Sequence, residues 1–232
     1  MLKVDQVDGF YGDLQVLRKV SLTVNDGEVV ALFGPNGHGK STLLKIISGL
    51  HPLASGVIRF ADIDITNMLA DKVVELGMAY IPEARHLFPE MSVEQNLKLG
   101  AYNRNAHKDF RKNLELVYEL FPRLAERRRQ PCSTLSGGES RMVAIGRGLM
   151  SSATMLLVDE PSIGLSPAMR LAVFEALRRV NQEAHITVLI VEQEVSNALE
   201  LAGRIYILKK GEILLERAAA DVDLAVIEQA YF

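Results

Sequence analysis

The chain has 232 residues, 48% of them hydrophobic, enough to fill the core of one large α/β domain and too few for two independent ones. Its 26 Lys and Arg against 29 Asp and Glu leave a net charge of −3, with no long single-sign block beyond Arg127-Arg128-Arg129, so electrostatics gives no case for nucleic acid or anionic lipid. The single cysteine, Cys132, excludes an intramolecular disulfide and a cysteine-based metal cage. With no secretory pattern at Met1-Leu-Lys3 we expect a cytosolic chain. No apolar run reaches the roughly 18 residues that span a bilayer, so work at a membrane would need a partner.

Leu2 to Val7 and Val20 to Val24 alternate apolar and polar residues, and a turn at Asn25-Asp26-Gly27 follows; they predict an antiparallel β portion ahead of the apolar strand Glu28 to Phe33. Between the first two lies Phe10-Tyr11-Gly12. An aromatic beside glycine can stack on a base or be an ordinary surface residue, and the residues alone leave Tyr11 open between the two.

The apolar strand runs into Gly34-Pro-Asn-Gly-His-Gly-Lys-Ser41, which fits G-x-x-x-x-G-K-[ST], and then into Thr42 to Ser48, apolar at helical spacing. A glycine-rich turn can carry Gly-Lys-Ser by chance, but here strand, loop and helix all stand where a phosphate-binding loop needs them. Glycines let successive N–H groups and the positive end of the helix dipole face an anion. The binding set is therefore Gly34, Asn36, Gly37, Gly39, Lys40, Ser41 and Thr42, with Lys40 reaching the β- and γ-phosphates and the Ser41 hydroxyl able to ligate Mg²⁺.

Further on, Gly56 to Phe60 reads as a strand, Met68 to Leu76 as a helix and Met78 to Ile81 as a second compact apolar strand ending at Pro82-Glu83. Ser92-Val-Glu-Gln95 fits a capping box, and Asp109 to Phe121 has helical periodicity, so about 84–150 is expected to be a helical insert in a β-rich frame. Thr134-Leu-Ser-Gly-Gly-Glu-Ser140 is a turn cluster running into a helix over Arg141 to Met150. Its glycines leave N–H groups free to meet an anion, although a plain Ser-Gly helix start is common.

Thr154 to Val158 is an apolar run of the kind buried in a parallel sheet. It ends in Asp159-Glu160, where α/β sheets bind ligands. Asp159 is placed to hold Mg²⁺, and Glu160 to accept a hydrogen bond from an attacking water. Pro161 to Pro167 is a loop, Ala168 to Val180 an amphipathic helix, and Thr187 to Val191 a buried strand whose Glu192-Gln193-Glu194 project towards the same crevice. Arg204 to Leu208 and Ile213 to Leu215 form a closing hairpin, and Asp221 to Phe232 a terminal helix. The expected fold is thus a P-loop α/β core of about 1–83 and 151–217 with an antiparallel β subdomain, the helical insert, and a C-terminal helix over 218–232, all one domain.

The phosphate loop, Leu135-Ser-Gly-Gly-Glu139 and Met155-Leu-Leu-Val-Asp-Glu160, in that order, resemble an ATP-binding cassette (ABC) ATPase from about residue 2 to residue 217. The resemblance implies a head-to-tail dimer in which each ATP lies between the P-loop of one subunit and Ser136 to Gly138 of the other. It implies that Tyr11 stacks on adenine, Asp159 serves Mg²⁺, Glu160 polarises the water, and Ser162 to Pro167 crosses the dimer interface. It further implies permease subunits as partners, a solute-binding protein acting indirectly, a peripheral place on the cytoplasmic face of the membrane, and no nucleic acid.

Two positions depart from the general ABC pattern: Glu83 stands where most members have Gln, and Gln193 where most have a switch His. With Pro161 to Pro167 and Val191-Glu-Gln-Glu194 they resemble the LivF-type ATPases of branched-chain amino-acid importers, or their relatives in urea and amide import. Gln193 can donate an amide hydrogen bond to a γ-phosphate but does not titrate near neutral pH as His does. Glu83 can ligate Mg²⁺ or water while adding negative charge. His38 is read as a solvent-facing filler, and the loop Glu83 to Met91 as the permease contact. An ABC-type ATPase of DNA or ribosomes, or an ATP-binding regulatory module, would be the rival classes; one cassette without sustained heptads disfavours the first, and Lys40, Asp159 and Glu160 the second.

Overall fold

The computed structural model describes residues 1–222 and Ile227. In chain order it contains β1 (Leu2–Tyr11), β2 (Leu14–Val24), β3 (Val29–Phe33), α1 (Lys40–Ile47), β4 (Ser55–Phe60), β5 (Ile63–Asp64), α2 (Ala70–Glu75) and β6 (Met78–Ile81). Then come α3 (Val93–Gly100), α4 (Arg104–Lys108), α5 (Phe110–Leu120), α6 (Pro122–Glu126) and α7 (Gly137–Leu149). The chain returns to the sheet with β7 (Met155–Asp159), α8 (Pro167–Ala184), β8 (Thr187–Glu192), α9 (Val195–Leu201) and the hairpin β9 (Arg204–Lys209) and β10 (Glu212–Ala218).

Two sheets carry these strands. One is antiparallel, in the order β2-β1-β4-β5; the other runs β10-β9-β3-β8-β7-β6, parallel throughout except for β10 at its edge. Every residue of β3, β7 and β8 is buried, as the continuous apolar runs require of strands covered on both faces. Successive side chains divide between two cores. Val30 and Leu32 of β3 and Met155 and Leu157 of β7 pack with the antiparallel sheet and α1, while Ala31, Phe33, Leu156 and Val158 pack with helices of the insert and α8.

β1 and β2 are longer than their alternation predicts. Their pairing is interrupted by register shifts around Val4, Val7 and Gly9, and Gln6 and Lys19 adopt positive φ of 49° and 46°. Each such bulge inverts the in–out pattern, so the sequence looks finished at Val7 when the strand runs on to Tyr11. Gly9 serves a close approach: a Cβ there would meet Ile46 Cδ1 of α1 at 2.7 Å.

Between β6 and β7 the described backbone runs through five helices, opened by Ser92, whose hydroxyl accepts from Gln95 N while its own N–H donates to the Gln95 side chain. The Gly-Gly helix begins earlier than expected, at Gly137 rather than Arg141, because Ser136 and Glu139 form a second reciprocal cap. α8 runs on to Ala184 and stops where His185 turns left-handed. The expected helix over Asp221 to Phe232 lies almost wholly outside the described residues; Ala219–Asp221 form one 3₁₀ turn.

Candidate functional site

The carboxyl ends of β3, β7 and β8 face one cleft of about 420 Å³. Tyr11, Asn36, Gly37, Gly39, Lys40, Ser41, Thr42, Glu83, Glu160 and Gln193 line it, together with Val16 and Ile163. The loop from Gly34 to Gly39 is shaped by its glycines. Gly37 and Gly39 have φ of 75° and 104°, and a Cβ on Gly34 would sit 2.1 Å from the Leu208 carbonyl oxygen of β9. Gly39 is the N-cap of α1 and supplies no side-chain acceptor, so no cap side chain competes for the first amides of that helix.

Lys40 is 4% exposed, and its Nζ donates to Gly34 O at 2.8 Å and Pro35 O at 3.2 Å. Glu160 Oε1 lies 3.5 Å away. Burial pulls the Lys40 ammonium below its usual value, and the charge of Glu160 works against that pull.

Beneath the loop, Ser41 Oγ donates to Asp159 Oδ1 at 3.0 Å and the Tyr80 hydroxyl donates to Oδ2 at 2.9 Å. Burial raises the Asp159 carboxyl above its ordinary value although both hydrogen bonds favour the charged form; burial and then Asp159 itself push the Tyr80 hydroxyl well up. Ser41 and Asp159 offer hard oxygen atoms, the donor chemistry Mg²⁺ accepts. Among the described residues no three His, Cys, Asp or Glu side chains cluster as a protein-only metal cage would.

Glu160 turns the chain with φ of 43°, its N–H donating to Val191 O at 2.9 Å. Its carboxylate is held from two sides, by Lys40 and by the Gln193 amide Nε2, which donates to Glu160 Oε2. Glu192, 2% exposed, accepts from Ser162 N at 3.0 Å and Gln193 N at 3.2 Å, and burial raises its pKa to about 7.

Arg141 was not among the sequence candidates. It is fully buried and donates to Pro82 O and Glu83 O, both at 2.9 Å, and to Glu160 O at 3.2 Å. Two turns along α7, Arg147 donates to His86 O at 2.8 Å and Arg85 O at 3.0 Å. Nothing in the spacing marks either arginine, since their partners are main-chain carbonyls 58 to 62 residues earlier and, for Arg141, one 19 residues later.

Ser136 and Gly138 do not line this cleft. Ser136 caps α7, and Gly138 is packed so tightly on α8 that a Cβ would come within 1.9 Å of Met169 Cε. His38 is not a solvent-facing filler: it is half-buried, and its Nδ1 is enclosed without a hydrogen-bond partner. Its backbone is pulled into the loop, with its N–H donating to Pro35 O at 3.4 Å.

A glycine cradle ahead of α1, acidic residues at the end of β7 and a helical insert between β6 and β7 define a P-loop nucleotide-binding cassette. The chain belongs to the ABC transporter family, whose model matches residues 17–163, and it is an ATP-hydrolysing subunit of that class. It is 41% identical to the high-affinity branched-chain amino acid transport ATP-binding protein BraG of Pseudomonas aeruginosa, over 95% of this chain and 94% of that one. It is 32% identical to a probable branched-chain amino acid transport ATP-binding protein, LivF, of Archaeoglobus fulgidus, over 96% and 94%. Among solved structures, a nucleotide-free ATP-binding cassette from an ABC transporter superposes with a TM-score of 0.86 at 27% identity, covering 98% of this chain and 97% of that one. A dimeric bacterial ABC transporter cassette superposes at 0.81 and 26% identity, over 94% and 99%. No helix among the described residues is long and apolar enough to cross a membrane.

Proposed function

We propose that this chain is the ATPase of an importer for branched-chain amino acids, acting as one half of a head-to-tail pair of cassettes. The pair would sit on the cytoplasmic face of the membrane, driving permease subunits that a solute-binding protein loads. The observation that carries the reading is the carboxylate of Glu160, held between Lys40 and Gln193 at a glycine-cradled cleft. The likeness to BraG and LivF supports the choice of solute.

In this reading the amides of Gly37 to Thr42 and the Lys40 ammonium neutralise the β- and γ-phosphates, and Tyr11 takes the adenine. Glu160 accepts the hydrogen bond of the attacking water, with Gln193 orienting it. Ser41 and Asp159, with Glu83 beside them, would hold Mg²⁺, which supplies charge neutralisation at the phosphates when bound. Catalysis is then mostly positioning and electrostatics. Ser136 and Gly138 would complete the cleft of a second copy, a reading supported by the likeness to a dimeric cassette. Phe88, half-exposed in the loop from Glu83 to Met91, is the proposed permease contact.

The test is reconstitution with the permease and its solute-binding protein, followed by hydrolysis measured with leucine, isoleucine, valine or urea. Stimulation by the branched-chain amino acids is expected; stimulation by urea alone would overturn the solute assignment. Crosslinks from Phe88 that never reach the permease would overturn the contact.

A further inference from the structure

Tyr11 is the last residue of β1, and Gly12 after it turns with φ of 56°. A side chain at such a point, 45% exposed, would ordinarily sample several rotamers. Here one part of its ring is covered: the imidazole of His51 is stacked on it, centroids 4.3 Å apart and planes inclined by 30°. The rest lines the nucleotide cleft beside Val16.

His51 is itself fixed at two points. Its main-chain N–H donates to Lys45 O at 3.1 Å, which ties it to the last turn of α1. Its Nε2 lies 2.7 Å from Phe10 O. A carbonyl only accepts, so Nε2 carries the proton and donates to the residue immediately before Tyr11. The imidazole therefore links the C-terminal end of the phosphate-binding helix to the strand end that bears the aromatic ring. Gly9 of β1 also packs on Ile46 of α1, but the imidazole is the tie that ends on the ring-bearing residue's own neighbour and on the ring itself.

We propose that His51 is a positioning residue for the base of the nucleotide: it holds Tyr11 as a flat platform at a fixed reach from the P-loop, so that a purine stacks on Tyr11 while its triphosphate occupies the cradle. The proposal rests on the reading of Tyr11 as the base platform. An aromatic pair loses stacking energy when either ring is removed, and here the loss falls on a ring that must already be in place when the base arrives. The interaction is the same before and during hydrolysis, so its loss belongs in KM rather than kcat.

The experiment compares the full-length protein with His51→Ala, His51→Phe and Tyr11→Ala, measuring the binding of ATP and of inorganic tripolyphosphate by calorimetry and the steady-state kinetics of hydrolysis. His51→Ala should weaken ATP on the order of fivefold, raise KM to match, and leave tripolyphosphate within about twofold of the unsubstituted protein. His51→Phe, which keeps a ring under Tyr11, should recover most of the loss. If His51→Ala weakens tripolyphosphate as much as ATP, His51 acts on the phosphate helix and the proposal fails. If His51→Ala binds ATP normally while Tyr11→Ala does not, the platform stands without His51 and the proposal fails alone. If Tyr11→Ala binds ATP normally, the platform reading fails and takes the proposal with it.

Discussion

Ser41 and Asp159, 118 residues apart in sequence, meet through a 3.0 Å hydrogen bond from the serine hydroxyl to Oδ1. The bond joins the first turn of α1 to the end of β7, so the phosphate cradle and the acidic strand end are held as one unit. Tyr80 on the neighbouring strand completes the arrangement from the other carboxylate oxygen.

Lys40 and Glu160 divide binding from chemistry. Lys40→Ala removes the one buried ammonium lining the cleft among the described residues and should abolish detectable ATP binding by calorimetry. Glu160→Gln is isosteric and keeps the Gln193 contact possible, so nucleotide binding should persist while kcat falls by about 10²- to 10³-fold. A Glu160→Gln protein that hydrolyses ATP at the unsubstituted rate would remove Glu160 from the chemistry.

Glu192 gives the fold a pH dependence of defined sign. Its carboxyl titrates at about 7 when folded, against an ordinary value of 4.5 that the unfolded chain restores. Below pH 4.5 both states hold the proton and the burial costs nothing extra. As pH rises from 4.5 to 7 the unfolded state releases it first, and stability falls by roughly 3 kcal/mol in total before levelling off. Glu192→Gln keeps an acceptor for Ser162 N without the charge. The difference in Tm between Glu192→Gln and the unsubstituted protein should therefore grow between pH 4.5 and 7 and stay constant above; parallel melting curves across that range would contradict it.

Arg141 supports three main-chain carbonyls from full burial, and its removal would strand them. Arg141→Met should lower the free energy of unfolding by about 3 kcal/mol or more in denaturant titrations. Arg141→Lys keeps the charge but not the fork, and should fall between.

Two glycines should respond differently to alanine. At Gly34 the added Cβ meets a backbone oxygen of β9, which has nowhere to go, so Gly34→Ala should be strongly destabilised and bind no nucleotide. At Gly138 it meets only side-chain atoms of Met169, Cε at 1.9 Å with Cγ and Cβ at 3.0 and 3.1 Å, so the methionine must re-pack and Gly138→Ala should melt several degrees lower while still folding. Its hydrolysis should nonetheless drop at least about tenfold if Gly138 completes another copy's site. Unchanged hydrolysis would show that it does not.

Where the sequence was legible, a single local rule sufficed. β3, β7 and β8 announce themselves as unbroken apolar runs because both faces are covered, and the P-loop is readable because its glycines, lysine and serine fall at fixed spacing within eight residues. The ends of β1 and β2 were hidden by bulges at Gln6 and Lys19, which reverse the alternation that strand recognition depends on. Tyr80, Arg141 and His51 were missed for a different reason. Their partners are Asp159, three carbonyls and Tyr11, all brought close by folding and none at a fixed spacing along the chain. Nothing in the motif says which way His38 faces, and the loop folds its imidazole Nδ1 inward.

Arg141 and Arg147 of α7 together hold four carbonyls of the stretch from Pro82 to His86. The stretch from Pro82 to His86 and α7 are thereby tied at four points, so a displacement of that stretch is shared with the helix whose first turn carries Gly138 and whose cap is Ser136.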